Sequence, residues 1–139
     1  MNYPIAIAGG ITLLAFFAHT FVGIREALST APAKLLQKEN VANFEVVERN
    51  WVQSMCAFQM VTIDLLALSV LLFVLAFTEI LGSEKLLALG LAGFYFLWGS
   101  AWLLQLLLLK RRTKEFLLLS QWLFWFGCSG LIYWGAQSL

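Results

Sequence analysis

The stretch Ser54–Phe77, SMCAFQMVTIDLLALSVLLFVLAF, decides the fold, because it runs apolar for 24 positions with Asp64 as its one charged residue. A helix needs about 20 predominantly apolar residues to cross the hydrocarbon core of a bilayer. Three further runs of similar length, Ile5–Ile24, Leu86–Leu109 and Phe116–Ala136, take up most of the remaining chain. With 61% hydrophobic and 12% charged residues, a soluble domain of 139 residues would have more apolar surface than it could bury. The expectation is an all-α polytopic membrane protein, an antiparallel four-transmembrane-helix bundle forming one membrane domain over 1–139. Met1–Pro4 carries no Lys or Arg, and the first apolar run is too long for a signal core, so the first helix is expected to stay in the mature protein.

Charge placement orients the bundle. Arg25, Lys34, Lys38 and Arg49 lie between the first two runs, and Lys110, Arg111, Arg112 and Lys114 between the last two, whereas the middle connection has only Lys85. By the positive-inside rule, loops 25–50 and 110–115 are cytoplasmic, and both termini are non-cytoplasmic. In the short connection 78–85, Gly82-Ser83 supplies the turn and Ser83 a cap for the third helix. Within the longer segment 25–50, Ser29-Thr30-Ala31-Pro32 reads as the start of a short surface helix continuing through Lys38. Val41, Phe44, Val47 and Trp51 then recur at helical spacing, with Glu45, Glu48 and Arg49 between them. The second helix is therefore expected from about Asn43 to Phe77, extending into the cytoplasm. That extension is either a solvated stabilising arm or a partner-docking surface built on Phe44, Val47, Glu48 and Trp51.

Polar residues inside spans are costly in lipid and usually face protein or a water-filled cavity. Counted inward at 1.5 Å per residue, His19 lies about 9 Å from Arg25, Gln59 about 12 Å from Trp51, Gln105 about 8 Å from Lys110 and Gln121 about 9 Å from Glu115. Each apolar run thus contributes one hydrogen-bonding side chain at similar depth, with Thr20, Thr62 and Ser120 adding hydroxyls. Helical spacing groups Gly9, Thr12, Phe16, His19, Gly23 and Glu26 on one face. It likewise groups Met55, Gln59, Thr62, Leu66 and Ser69; Tyr95, Trp98, Trp102 and Gln105; and Gln121, Trp125, Cys128 and Ile132. Two readings stand: these residues are interhelical hydrogen-bond glue, or His19, Gln59, Thr62, Gln105 and Gln121 line a ligand-binding cavity near the cytoplasmic side.

Asp64 stands apart. It lies about 200° around the helix from Thr62, so either the second helix is surrounded on both sides or Asp64 looks toward another subunit or a second cavity. An acid embedded in hydrocarbon is a proton-site candidate, which puts Asp64 beside His19 as a titrating group. Cys56 and Cys128 differ in depth by roughly 10 Å, too far for a disulfide. With His19 the only histidine, the spacing of a metal site is absent. Tyr3, Trp51, Tyr133 and Trp134 fall near span boundaries, as interfacial aromatics do. Tyr95, Trp98 and Trp102 lie deeper, where their polar tips need protein partners.

The stretch His19-Thr20-Phe21-Val22-Gly23-Ile24-Arg25-Glu26, with Val61-Thr62 and Gln121-Trp122, resembles a family of small uncharacterised bacterial four-helix inner-membrane proteins. The resemblance spans the whole topology and implies a bacterial inner-membrane location, but no reaction. Where that family carries Trp-His before Val-Thr, this chain has Phe58-Gln59-Met60, leaving one histidine instead of two. Small multidrug resistance transporters are similar in size, but they need an acid in the first helix where this chain has His19. Membrane glutathione-transferase-like enzymes share four spans, yet only Arg49-Asn50 matches their pattern. The leading functional expectation is transport or sensing of a proton, ion or small molecule. Its rivals are a non-catalytic accessory or assembly subunit of a larger membrane complex, and a membrane-embedded lipid- or thiol-conjugating enzyme. No catalytic set and no particular cofactor is indicated. The expected partners are membrane lipids and either further copies of the chain or a membrane complex, with no nucleic acid. The absence of an internal repeat leaves symmetry to oligomerisation.

Overall fold

A computed structural model describes residues 1–32 and 43–139, and all the regular structure among them is helical. Helix α1 (Tyr3–Ala18) passes through a π-helical segment (His19–Gly23) into α2 (Ile24–Ser29). There follow α3 (Phe44–Phe77), α4 (Glu84–Leu108), α5 (Thr113–Leu118) and α6 (Gln121–Ala136). Three helical runs, Tyr3–Ser29, Phe44–Phe77 and Glu84–Leu108, are long and apolar enough to cross a membrane. At 1.5 Å per residue they measure about 40, 51 and 38 Å. The helix expected from about Asn43 is present: Asn43, at φ 62°, accepts the first amides of α3, Val46 N–H and Val47 N–H, on its carbonyl. The surface helix expected over 29–38 falls mostly at 33–42, outside the described residues.

The fourth apolar run departs from the sequence reading. Phe116–Ala136 is not one helix, because α5 ends at Leu118 and a turn at 119–120 precedes α6. Hydropathy reports only the apolar length, and here the backbone breaks within it. The break leaves carbonyls without helical donors, and two indoles fill them: Trp122 Nε1–H donates to Phe116 O at 2.9 Å and Trp102 Nε1–H to Leu119 O at 3.1 Å. At the preceding corner α4 closes in a Schellman arrangement around Lys110, at φ 50°. Arg111 N–H donates to Leu106 O, and Lys110 N–H to Leu107 O. Ser83 occupies the cap position of α4, but its hydroxyl makes no cap bond; its carbonyl accepts Leu87 N–H instead.

The chain divides into two compact units, one of residues 1–11 with 70–139, the other of residues 12–69. In the first, α4 and α6 pack antiparallel: Ser129 Oγ–H donates to Ala92 O, Tyr95 and Trp98 both meet Trp125, and Trp102 reaches Leu119. The buried positions Ala88, Ala92, Tyr95 and Gly99 recur at three- and four-residue spacing along α4, and Leu106 follows two turns on. Trp125, Cys128, Ile132 and Ala136 do so along α6. Asn2 fastens one end of this unit. Its backbone N–H donates to Ala76 O, its side-chain amide to Gly135 O and Ser138 Oγ, and its Oδ1 accepts Ile5 N–H. Ile5 is fully buried, and a Cβ on Gly135 would come within 2.5 Å of Ile5 Cγ1 and 2.6 Å of Asn2 Oδ1.

Two predictions come from this clamp. Gly135→Ala should destabilise the protein by about 1–3 kcal/mol, whereas Gly130→Ala, whose Cβ would meet nothing within 4 Å, should be neutral or stabilising by up to about 1 kcal/mol. Asn2→Ala, which strips buried hydrogen bonds and the α1 cap, should cost about 1–3 kcal/mol. Reversible unfolding in mixed micelles reads all three variants.

Candidate functional site

Within residues 12–69, α3 turns Trp51, Met55, Phe58 and Thr62 toward the first helical run, and burial continues along the same stripe at Leu65 and Ser69. Trp51 Nε1–H donates to Ala27 O at 3.4 Å, at the far end of α2. Midway along this seam is His19. Its ring stacks on Phe58 with centroids 3.7 Å apart and planes 15° from parallel, and its Nδ1 is 2.9 Å from Thr62 Oγ1. The Cζ–Cε2 edge of Phe58 meets Gly23, where an added Cβ would lie 3.0 Å from Phe58 Cζ. Glycine is therefore what lets the Phe58 ring lie against the helix here.

The backbone at His19 is unusual. Ile24 N–H donates to His19 O, five residues back, so the hydrogen-bonded loop encloses one more residue than in an α-helix. Single turns of this kind are common at functional sites. The next residue, Thr20, has its hydroxyl oxygen buried with no hydrogen-bond partner among the described residues.

Hydrogen-bond accounting assigns the protons of the pair. Thr62 Oγ1 donates to Phe58 O at 3.1 Å, as helical Thr commonly does four residues back. A hydroxyl has one proton to give. With that proton spent on Phe58, Thr62 accepts from His19, so His19 carries its proton on Nδ1 and Nε2 presents a lone pair. Among the described residues none hydrogen-bonds Nε2. A half-buried imidazole held this way can accept a proton or a hydrogen bond, or coordinate a metal, without moving its ring.

The expected residues are distributed as follows. His19 and Thr62 are brought into direct contact. Gln59 belongs to the same unit but is exposed, turned away from the seam that carries Phe58 and Thr62. Gln105 and Gln121 belong to the other unit and are both exposed. Asp64 is half-buried on α3, away from the Thr62 face. In the docking candidate, Val47 and Glu48 are exposed and Phe44 and Trp51 half-buried. Both cysteines are free, Cys56 exposed and Cys128 buried, and no cluster of three metal-ligating side chains occurs among the described residues. Sequence reasoning missed Phe58 and the π-helical turn. The 4-3 spacing Trp51, Met55, Phe58, Thr62, Leu65, Ser69 contained the first, but nothing in the sequence marked the second.

No protein-family model matches the chain, and neither a curated protein nor a solved structure matches it.

The tautomer assignment is directly measurable. Nitrogen-15 spectra of the His19 ring at neutral pH should show the Nδ1-protonated form. Thr62→Val should move the population toward the Nε2-protonated form, and Thr62→Ser should restore it. A wild-type spectrum dominated by Nε2–H would refute the arrangement.

Proposed function

We propose that this chain is a four-span inner-membrane protein that transports or senses a proton, ion or small molecule at His19, near the cytoplasmic side. The observation that carries the reading is the His19–Thr62–Phe58 cluster: an imidazole fixed in one tautomer by a hydroxyl that has no other proton to give, with Nε2 left as an acceptor. Phe58 adds to this, because a ring face 3.7 Å away stabilises an imidazolium as well as an imidazole, so proton uptake needs no repacking. The buried, unpartnered Thr20 hydroxyl one residue on is a second polar group suited to a bound water or ligand.

The four-span reading draws on the Asn2 clamp. Asn2 bonds to Ala76 at the end of α3 and to Gly135 and Ser138 at the end of the chain, so both termini lie at one end of their unit. A chain with both ends on one side of a membrane crosses it an even number of times. With three long spans, α6 supplies the return crossing against α4. The basic residues on 25–49 and 110–114 then make the shared end non-cytoplasmic. A periplasmic-only reporter fused to either terminus should be active; activity of a cytoplasmic reporter there instead would invert the orientation.

The functional test is proton entry into liposomes carrying the purified protein and an internal pH dye. Wild type should exceed the lipid leak under an imposed gradient, and His19→Gln should fall to it. The accessory-subunit reading predicts leak-level entry for both, with a second membrane protein co-purifying from native membranes.

A further inference from the structure

The corner between α4 and α5 gathers Lys110, Arg111, Arg112 and Lys114 within five positions, against the single acid Glu115. All four basic side chains are exposed. Arg111 Nε lies 3.6 Å from Glu115 Oε2, and among the described residues the other three cations have no ion pair. Hydration alone accounts for such a run when its neighbours are polar. Here the neighbours are leucines.

Leu107, Leu108 and Leu109 precede the run and Leu117 and Leu118 follow it, all of them exposed, Leu117 at 71% and Leu118 at 80%. Trp102 Nε1–H donates to Leu119 O across the base of the corner, so the cations form the apex of a loop whose two arms both carry leucines. Side chains as open as Leu117 and Leu118 have almost no protein surface against them, and acyl chains are the surroundings in which they lose nothing by staying open. When α4 spans, the leucine arms therefore lie at the level of the acyl chains and the cations at the level of the headgroups. Both parts of a phospholipid are matched at one corner.

We infer that this apex binds the phosphate of an anionic phospholipid, whose acyl chains lie against Leu107, Leu108, Leu117 and Leu118. Ammonium and guanidinium groups donate charge-assisted hydrogen bonds to phosphate oxygens, the guanidinium in pairs. A zwitterionic headgroup brings its own cation beside the phosphate, and the cluster repels it; phosphatidylglycerol brings none. Basic clusters of this size beside a spanning helix attract anionic lipid through the same charge balance. The other end of α4 is the contrast, because Glu79, Glu84 and Lys85 leave it without an excess of cations. The inference rests on α4 crossing the membrane. It is independent of the role proposed for His19 and of which end is cytoplasmic.

The test uses the purified full-length chain with Cys56→Ser and Cys128→Ala, carrying a thiol-reactive fluorophore at Leu118→Cys or, as a control, at Leu86→Cys on the other end of α4. Each is placed in phosphatidylcholine bilayers, and quenching by brominated phosphatidylglycerol is compared with quenching by brominated phosphatidylcholine. At the Leu118 position phosphatidylglycerol should be favoured about five- to tenfold, fading as salt is raised. At the Leu86 position the two lipids should quench alike. Arg111→Gln, Arg112→Gln and Lys114→Gln together should bring the Leu118 preference to within about twofold of unity. Arg111→Lys with Arg112→Lys, which keeps the charge, should retain most of it. Inorganic phosphate should lower the preference no more than chloride at equal ionic strength; a larger effect would reveal a site for free phosphate and overturn the lipid assignment. Equal quenching by both lipids at Leu118 would overturn the inference and leave α4 in the bilayer, whereas quenching by neither would overturn it together with the span of α4. A preference that survives the triple glutamine variant also refutes it.

Discussion

Where a long helix is surrounded by hydrocarbon, its polar groups must be satisfied inside the protein, because hydrocarbon offers neither donors nor acceptors. Several irregularities among the described residues are met by specific partners. The turn that separates α5 from α6 frees carbonyls, and the indoles of Trp102 and Trp122 donate into them. Ser129 takes up a lone pair of the Ala92 carbonyl, and Thr62, Thr78 and Ser100 each return their proton to a carbonyl four residues back. Asn2 serves two helix ends at once.

Among the described residues some polar groups are left over. The Thr20 hydroxyl is buried without a partner in a turn whose backbone is already irregular, Glu84 Oε1 is likewise buried and unpartnered at the start of α4, and Asp64 has no partner at mid-helix. The His19 pair differs from these. It is satisfied on one nitrogen only, and the satisfied side dictates the chemistry of the other. A hydroxyl with a free choice of roles would leave the imidazole tautomer to fluctuate; one already committed to the Phe58 carbonyl does not. Local helix geometry on α3 therefore reaches across to select which ring nitrogen carries the proton on another helical run.

The sequence carried the helical class and the start of α3 near Asn43, because apolar length and helical spacing are one-dimensional properties. It also named His19 and Thr62, but among several polar groups at similar depth, without singling out the pair. What it did not carry depends on rotation and backbone continuity. Gln59 sits one position from Phe58, a turn of 100° that exchanges the seam for the surface, and Gln105 stands in the same relation to buried Leu106. The break at 119–120 is hidden among leucines, which signal hydrophobicity without distinguishing a continuous helix from an interrupted one. The π-helical turn coincides with the packing of Phe58 against Gly23 and His19, a contact between distant parts of the chain that no local signal marks.

The brevity of α6 has a consequence for where the protein is comfortable. Its 16 residues rise about 24 Å, some 6 Å less than a typical hydrocarbon core. The helix packs along α4, which is about 38 Å long. With α6 as the fourth crossing proposed above, the two sides of one hairpin would ask the surrounding lipid for different thicknesses, and lipid beside α6 would shorten or splay to meet it, at a cost of fractions of a kcal/mol per ångström of mismatch.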